Sequence, residues 1–289
     1  MSELRVPVRK TYKLYIGGAF PRSESGRTYV VTDGNNTFMA NAALASRKDA
    51  RDAVVAARKV QPQWAAATAY NRGQVLYRLA EMLEERRSQF VDLVRSSEGV
   101  SVREATLQVD VAVDRVVWYA GWADKVAQVT GTSNPVAGPY FNFSVPMPTG
   151  VVAIVAPQRS SLLGFVSVVL PVIVSGNTAV VLASQDRPLP AMSMAEVFAT
   201  SDVPAGVVNV LTGKPSEIAP VLASHRDVDA IDLCGVRAES AADLERDAAG
   251  NVKRVVRADV VEPDWTGEPT PKRMLSFVEI KTVWHTVGI

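Results

Sequence analysis

Across residues 46–126 apolar side chains return every three or four positions with charges between them. Val75, Leu79, Leu83, Phe90 and Val94 fall on one stripe, the spacing of helices that bury a single face. Gly99 separates this run from the next. Ser101 followed by Glu104 has the form of a capping box, so a further helix is predicted through Val113, Val117 and Ala120. After Thr130 the texture turns to Gly, Ser, Asn and Pro. Tyr-Phe-Asn-Phe-Ser-Val at 140–145 then alternates as a strand would, and Pro146 and Pro148 are expected to end it. Beyond them, short apolar runs at 151–156, 178–182, 207–211, 230–233 and 254–259 alternate with helical stretches at 162–175, 190–200, 216–224 and 241–249. Unbroken apolar strands between helices of this length predict βαβ units. The fold class is therefore α/β, a Rossmann-like open parallel sheet with helices on both faces. Residues 262–272 are rich in turn formers, and 274–287 returns to strand-like alternation. A terminal strand of that kind must pair with something.

Composition narrows the function classes. The 289 residues are 47% hydrophobic and 21% charged, enough for one large core or two moderate ones and too apolar for a disordered chain. Lys and Arg number 31 against 30 Asp and Glu, so no whole-chain field attracts nucleic acid or an anionic membrane, and partners must be recognised by shape. Cys234 is the single cysteine, and His225 and His285 are the only histidines. No intramolecular disulfide and no zinc-type ligand spacing follow from that set. The first residues carry positive charge without the apolar stretch of a secretory signal, which points to the cytoplasm. The stretch at 162–174 is apolar throughout, but it is shorter than the roughly 17–25 residues a membrane span needs. No GxGxxG opens a helix, Gly213-Lys214-Pro215 lacks the spacing of a P-loop, and neither GxSxG nor HExxH occurs. His225 reads as a surface residue near a helix C-terminus.

Tyr-Ile-Gly-Gly-Ala-Phe at 15–20, the helices of 64–93 and Trp-Tyr-Ala-Gly-Trp-Ala at 118–123 resemble the opening and the next elements of the aldehyde dehydrogenase superfamily. The most specific resemblance is Pro-Thr-Gly-Val-Val-Ala-Ile-Val-Ala-Pro at 148–157, followed by Leu-Pro-Val-Ile-Val-Ser-Gly-Asn-Thr-Ala-Val-Val-Leu at 170–182. Blocks at 203–213 and 223–231 continue in the family's order. The resemblance implies a dinucleotide-binding domain over 10–262, interrupted by an oligomerisation strand at 138–148. It further implies a linker at 263–273 where the family has its catalytic domain, and a C-terminal oligomerisation strand at 274–289.

Several family positions are changed. The loop asparagine that helps hold an oxyanion becomes Arg159, and the general-base glutamate becomes Ala258, so the resemblance leaves no catalytic residue. The lysine after the second strand becomes Ala183, and the turn after the fourth strand reads Leu233, Cys234, Gly235 and Val236. Asp186, Gly213 and Gly235 stand where cofactor contacts would be, which implies weak NAD(P) binding or none. Cys234 reads as a small, partly buried thiol rather than a substitute nucleophile. Tyr140, Phe141 and Phe143, with Phe277, Glu279, Lys281 and Trp284, fall on the family's two oligomerisation strands. The expected function is a non-catalytic subunit that associates with a full-length aldehyde dehydrogenase homologue or with itself, bound to neither nucleic acid nor membrane. An NAD(P)-dependent oxidoreductase retained in an assembly, or a nucleotide-sensing module, is the alternative.

Overall fold

The computed structural model describes residues 8–257, 259 and 261–288. A small sheet comes first, from β1 (Thr11–Tyr12), β2 (Thr28–Thr32) and β3 (Phe38–Ala43), in the order β1-β3-β2. The helices α1 (Arg47–Ala66), α2 (Ala69–Glu85), α3 (Arg87–Glu98), α4 (Val102–Trp122) and α5 (Val126–Thr130) follow. Gly99 closes α3 in the left-handed conformation at φ 70°, and Ser101 caps α4 by accepting from the Glu104 N–H at 3.2 Å. A reciprocal capping box forms at Ser46 and Asp49, at the start of α1.

The strands β4 (Thr132–Asn134) and β5 (Tyr140–Pro148) lead into β6 (Val151–Val155), α6 (Leu163–Val174), β7 (Thr178–Leu182), α7 (Leu189–Thr200), β8 (Val208–Leu211), α8 (Pro215–Ser224), β9 (Ala230–Asp232), α9 (Ala238–Ala249) and β10 (Arg254–Val256). The chain ends its regular structure with α10 (Lys272–Leu275) and β11 (Val278–Thr286). The five parallel strands lie in the order β10-β9-β6-β7-β8. Both faces are covered. Val152 and Ile154 enter one apolar cluster with the α2, α3, α4 and α6 side chains, while Val151, Ala153 and Val155 enter another with α1 and α8. That two-sided burial is why these strands read as continuous apolar runs.

Helix α6 is buried along its whole length, and a buried helix end needs partners for its last carbonyls. The Trp64 indole donates to the Ile173 carbonyl at 2.9 Å, and Arg72 Nε donates to that of Val174 at 3.0 Å. Its apolar sequence thus reflects a core position. No helix among the described residues is long and apolar enough to cross a membrane.

β11 pairs antiparallel with β5 from Val278 opposite Pro148 to Thr286 opposite Tyr140, and β4 covers the other side of β5 only from Asn142 to Ser144. The expectation that Pro146 and Pro148 end the strand fails for this reason. Past Ser144 the far side of β5 has no strand neighbour among the described residues, so the missing N–H groups break no ladder there. Met274, expected in the terminal strand, belongs to α10 instead. The small N-terminal sheet was not expected from the sequence. Next to it, Tyr15 forms an antiparallel bridge with Val210, which covers the outer edge of β8.

Asn177 knits the parallel layer to β11. Its Oδ1 accepts from the Gly150 N–H at 2.6 Å, and its Nδ2 donates to Ser175 Oγ at 2.9 Å and to the Phe277 carbonyl at 2.8 Å, all out of water. Replacing Asn177 by Ala strands a buried donor and acceptors at once, so N177A is expected to lower unfolding stability by about 3 kcal/mol in urea titration. A loss under about 0.5 kcal/mol would show that the amide is dispensable.

Candidate functional site: a filled crossing and an open ribbon

After β6 the chain winds outward through β7 and β8, then returns to place β9 on the other side of β6. Ligands of open α/β sheets sit beyond the carboxyl ends of the strands at such a reversal. Here that place is bounded by the loops after β6 and β9. The Gly235 N–H donates to the Val155 carbonyl at 2.8 Å, and a Cβ at Gly235 would lie 1.8 Å from the Ala156 oxygen. Glycine is therefore required by the close approach of the two loops. Gln158 closes the adjoining gap: Nε2 donates to the Ala156 carbonyl at 2.7 Å, and Oε1 accepts from the Gln185 N–H at 3.0 Å.

Three successive backbone N–H groups precede α6, a geometry that suits an anion. They are filled by the chain's own carboxylates. Glu262 Oε2 accepts from the Arg159 N–H at 3.0 Å and Glu262 Oε1 from the Ser160 N–H at 2.9 Å, while Glu98 Oε1 accepts from the Ser161 N–H at 2.6 Å. The side chain of Arg159 is exposed; its carbonyl accepts from Arg187 Nη1 at 2.7 Å. The segment carrying Glu262 is itself latched. The buried Arg115 guanidinium on α4 donates to the carbonyls of Trp265 at 2.8 Å and Gly267 at 2.7 Å, and to Ser167 Oγ at 2.9 Å. A cavity of about 440 Å³ lies beside these groups, lined in part by Glu98, Gln108, Arg159, Arg187, Glu262 and Trp265.

Asp232, fully buried at the end of β9, pairs with Arg273 of α10, and its Oδ1 accepts from the Cys234 N–H at 2.9 Å. Burial raises the Asp232 carboxyl above its ordinary range, with Arg273 pulling the other way. Burial first, and then the Asp232 charge, push the Cys234 thiol up to about 12. Such a thiol is protonated at neutral pH and is not an activated nucleophile. His225 ends α8, and its Nδ1 accepts from the Asp227 N–H at 3.1 Å.

Of the expected cofactor positions, Asp186, Gly213 and Gly235 all lie in loops at the carboxyl ends of the strands. Asp186 is exposed. Gly213 takes φ 149° against Ala45, beside the bond from the Ala45 N–H to the Thr212 carbonyl at 2.9 Å. Ala183 is fully buried, so no cation stands at that position. Ala258 lies outside the described residues. Sequence reading missed Glu98, Arg115, Glu262 and the Asp232–Arg273 pair. The available signals were Arg115 within the apolar stripe of Val109, Ala112, Val116 and Tyr119, and Asp232 within an apolar strand.

The second feature is the three-stranded ribbon β11-β5-β4. Alternation places Tyr140, Asn142, Ser144, Ile280, Thr282 and Trp284 on one face and Phe141, Phe143, Val145, Met147, Lys281 and Val283 on the other. Trp284 is 62% exposed, Ile280 55% and Phe141 51%. Tyr140 and Trp284 meet edge to face with centroids 5.7 Å apart, and Phe141 and Phe143 lie 5.3 Å apart. Both faces thus carry exposed apolar groups, with Glu279 and Lys281 exposed on the free edge strand. Phe277 departs from expectation: it is fully buried in the chain's own core beside Met274, and it anchors β11 to the body instead of facing a partner.

Residues 20–258 match the aldehyde dehydrogenase family. The chain belongs to that family. Retinal dehydrogenase 2 of Gallus gallus is 32% identical over 260 residues, 87% of this chain and 49% of that protein. Aldehyde dehydrogenase, cytosolic 1, of Elephantulus edwardii is 29% identical over 248 residues, 84% of this chain and 49% of that protein. Among solved structures, HpcC from Thermus thermophilus superposes with a TM-score of 0.81 at 27% identity, covering 85% of this chain and 47% of that one. The aldehyde dehydrogenase from Bacillus cereus, solved as its NAD+ complex, gives 0.80 at 26% identity, covering 85% and 50%. The chain spans about half the length of the curated relatives it matches.

Two measurements check this site. With its thiol pushed up to about 12, Cys234 holds roughly one part in ten thousand as thiolate at pH 8. Its alkylation by iodoacetamide is expected to be slow and still rising at pH 10; a plateau near pH 8–9, followed by mass spectrometry, would contradict the raised value. Glu262→Ala removes the acceptor from the Arg159 and Ser160 amides, whose hydrogen exchange should then accelerate tenfold or more, equivalent to about 1.4 kcal/mol of lost protection. Unchanged exchange would mean that another group holds the loop.

Proposed function

We propose that this chain is a non-catalytic aldehyde dehydrogenase-type subunit that docks through its β11-β5-β4 ribbon, with a full-length homologue or with a second copy as the partner. The observation that carries the reading is the ribbon itself, whose long strand β11 has one strand neighbour among the described residues and which carries exposed aromatic groups on both faces. Native sheets blunt such edges unless something pairs with them. The filled crossing supports the same reading from the other side. Glu262 and Glu98 occupy the backbone donors before α6, and the single thiol is held protonated. A dinucleotide phosphate entering there would have to displace two carboxylates. Arg159 in the loop supplies a flexible, exposed cation where acyl transfer needs a fixed short donor. With one unpaired thiol and no cystine, the cytoplasm is the compartment this reading assigns.

The alternative, an NAD(P)-dependent oxidoreductase or a nucleotide sensor, takes its support from relatives such as the Bacillus cereus protein solved with NAD+. Calorimetric titration of purified protein with NAD and NADP separates the two. The docking reading expects no saturable binding below ~1 mM, no aldehyde-dependent NADH formation, and co-elution with a co-expressed full-length homologue. Saturable nucleotide binding with turnover that Cys234→Ala abolishes would replace it with the enzyme reading.

A further inference from the structure

We propose that residues 262–267 form a strap that a small oxyanion, a phosphate or a carboxylate, releases by taking the Arg115 guanidinium from it. The proposal gives the chain a ligand and does not depend on which partner the ribbon takes. Arg115 lies in α4 at 6% exposure, and its bonds all go to neutral acceptors. Nη2 donates to the Trp265 carbonyl at 2.8 Å and to the Gly267 carbonyl at 2.7 Å, and Nη1 donates to Ser167 Oγ at 2.9 Å. Among the described residues no carboxylate forms an ion pair with it, and Glu268 acts on it through its charge alone. A buried guanidinium ordinarily faces an anion. An oxyanion that meets the planar fork with two charge-assisted bonds binds about twice as strongly per bond as a carbonyl does. The strap therefore holds Arg115 with the weaker class of partner.

The rest of the strap is lightly held. Asp264, Thr266 and Gly267 are exposed and Trp265 is half-buried. Besides Arg115, its ties to the body are Glu262 on the Arg159 and Ser160 amides and the Arg273 guanidinium 5.5 Å from the centroid of the Trp265 ring. Elements held by a few polar contacts near the surface open at low cost. Pro263, Asp264, Trp265 and Thr266 wall the 440 Å³ cavity, and Arg115 is not among its lining residues. The strap thus stands between the cavity and the guanidinium. With Glu98, Glu104, Glu262 and Asp264 around it against Arg159 and Arg187, the closed cavity attracts no anion. Release carries Glu262 and Asp264 away with the strap, so the charge balance turns in the anion's favour as the guanidinium is uncovered.

Trp265 fluorescence reports the release. Titrating the wild-type protein with inorganic phosphate, against sodium chloride at matched ionic strength, is expected to give a saturable rise in acrylamide quenching, half-complete at about 1–10 mM. The rise should be missing from Trp265→Phe. Acetate in a parallel titration separates a planar carboxylate from a tetrahedral phosphate, and a saturable response to either anion supports the proposal. Glu262→Gln loosens the strap's own carboxylate and should tighten phosphate binding about threefold or more, an increase that simple damage to the fold would not produce. Arg115→Lys keeps the charge but loses the planar fork, and should weaken binding about tenfold. Circular dichroism confirms that each variant is folded. A wild-type chain that responds to neither anion, responds equally to chloride, or gains nothing from Glu262→Gln overturns the proposal. Such a result beside retained co-elution with a full-length homologue would remove the strap's ligand and leave the docking function standing.

Discussion

A β-strand has two hydrogen-bonding sides, and β11 spends only one. Its nine residues pair with β5 along their full length, and among the described residues no strand lies on their other side. Everything distinctive about the chain follows from how that open side is held in place. Phe277 is sunk in the core, Asn177 takes the Phe277 carbonyl, and Arg254 takes that of Val278. Three independent anchors thus fix the base of a strand whose far part reaches beyond the body. Rigid presentation of this kind lowers the ordering cost of association.

The parallel layer performs a different service. Its crossing has the topology of a ligand site, yet its polar groups are spent internally. Glu262, carried by the segment between β10 and α10, satisfies the loop before α6; Arg115 holds that same segment by its Trp265 and Gly267 carbonyls, and the Arg273 guanidinium lies over its Trp265 ring. The segment is therefore an integral part of the fold, which takes up donors that would otherwise face solvent or an anion. Buried charges are tolerated because each finds carbonyls or a carboxylate.

Much of this was legible in the sequence wherever burial leaves a periodic trace. The apolar strands and helices of the parallel layer appear close to their expected places, because residues buried on both faces cannot vary in polarity. The family resemblance, carried by strings such as 148–157 and 170–182, agrees with the match over 20–258. What escaped were contacts between residues distant in the chain. Glu98 meets Ser161, Arg159 meets Glu262, and Arg115 meets Gly267 across 63, 103 and 152 positions; no local pattern encodes such partners. The continuation of β5 through two prolines escaped for a related reason, since only the sheet order shows that β4 stops short of them. Phe277 and Trp284 look alike as aromatic members of one terminal strand, and only packing separates the core anchor from the exposed group.

The central claim is that the open side of β11 exists to be paired. Amide hydrogen exchange across 279–286 tests it most directly, read at low and high protein concentration and again with a full-length homologue added. The account predicts that the outward-facing amides exchange quickly in dilute solution and gain protection when a partner strand is available, while those bonded to β5 stay protected throughout. Outward amides that exchange at the same fast rate under all three conditions would contradict it.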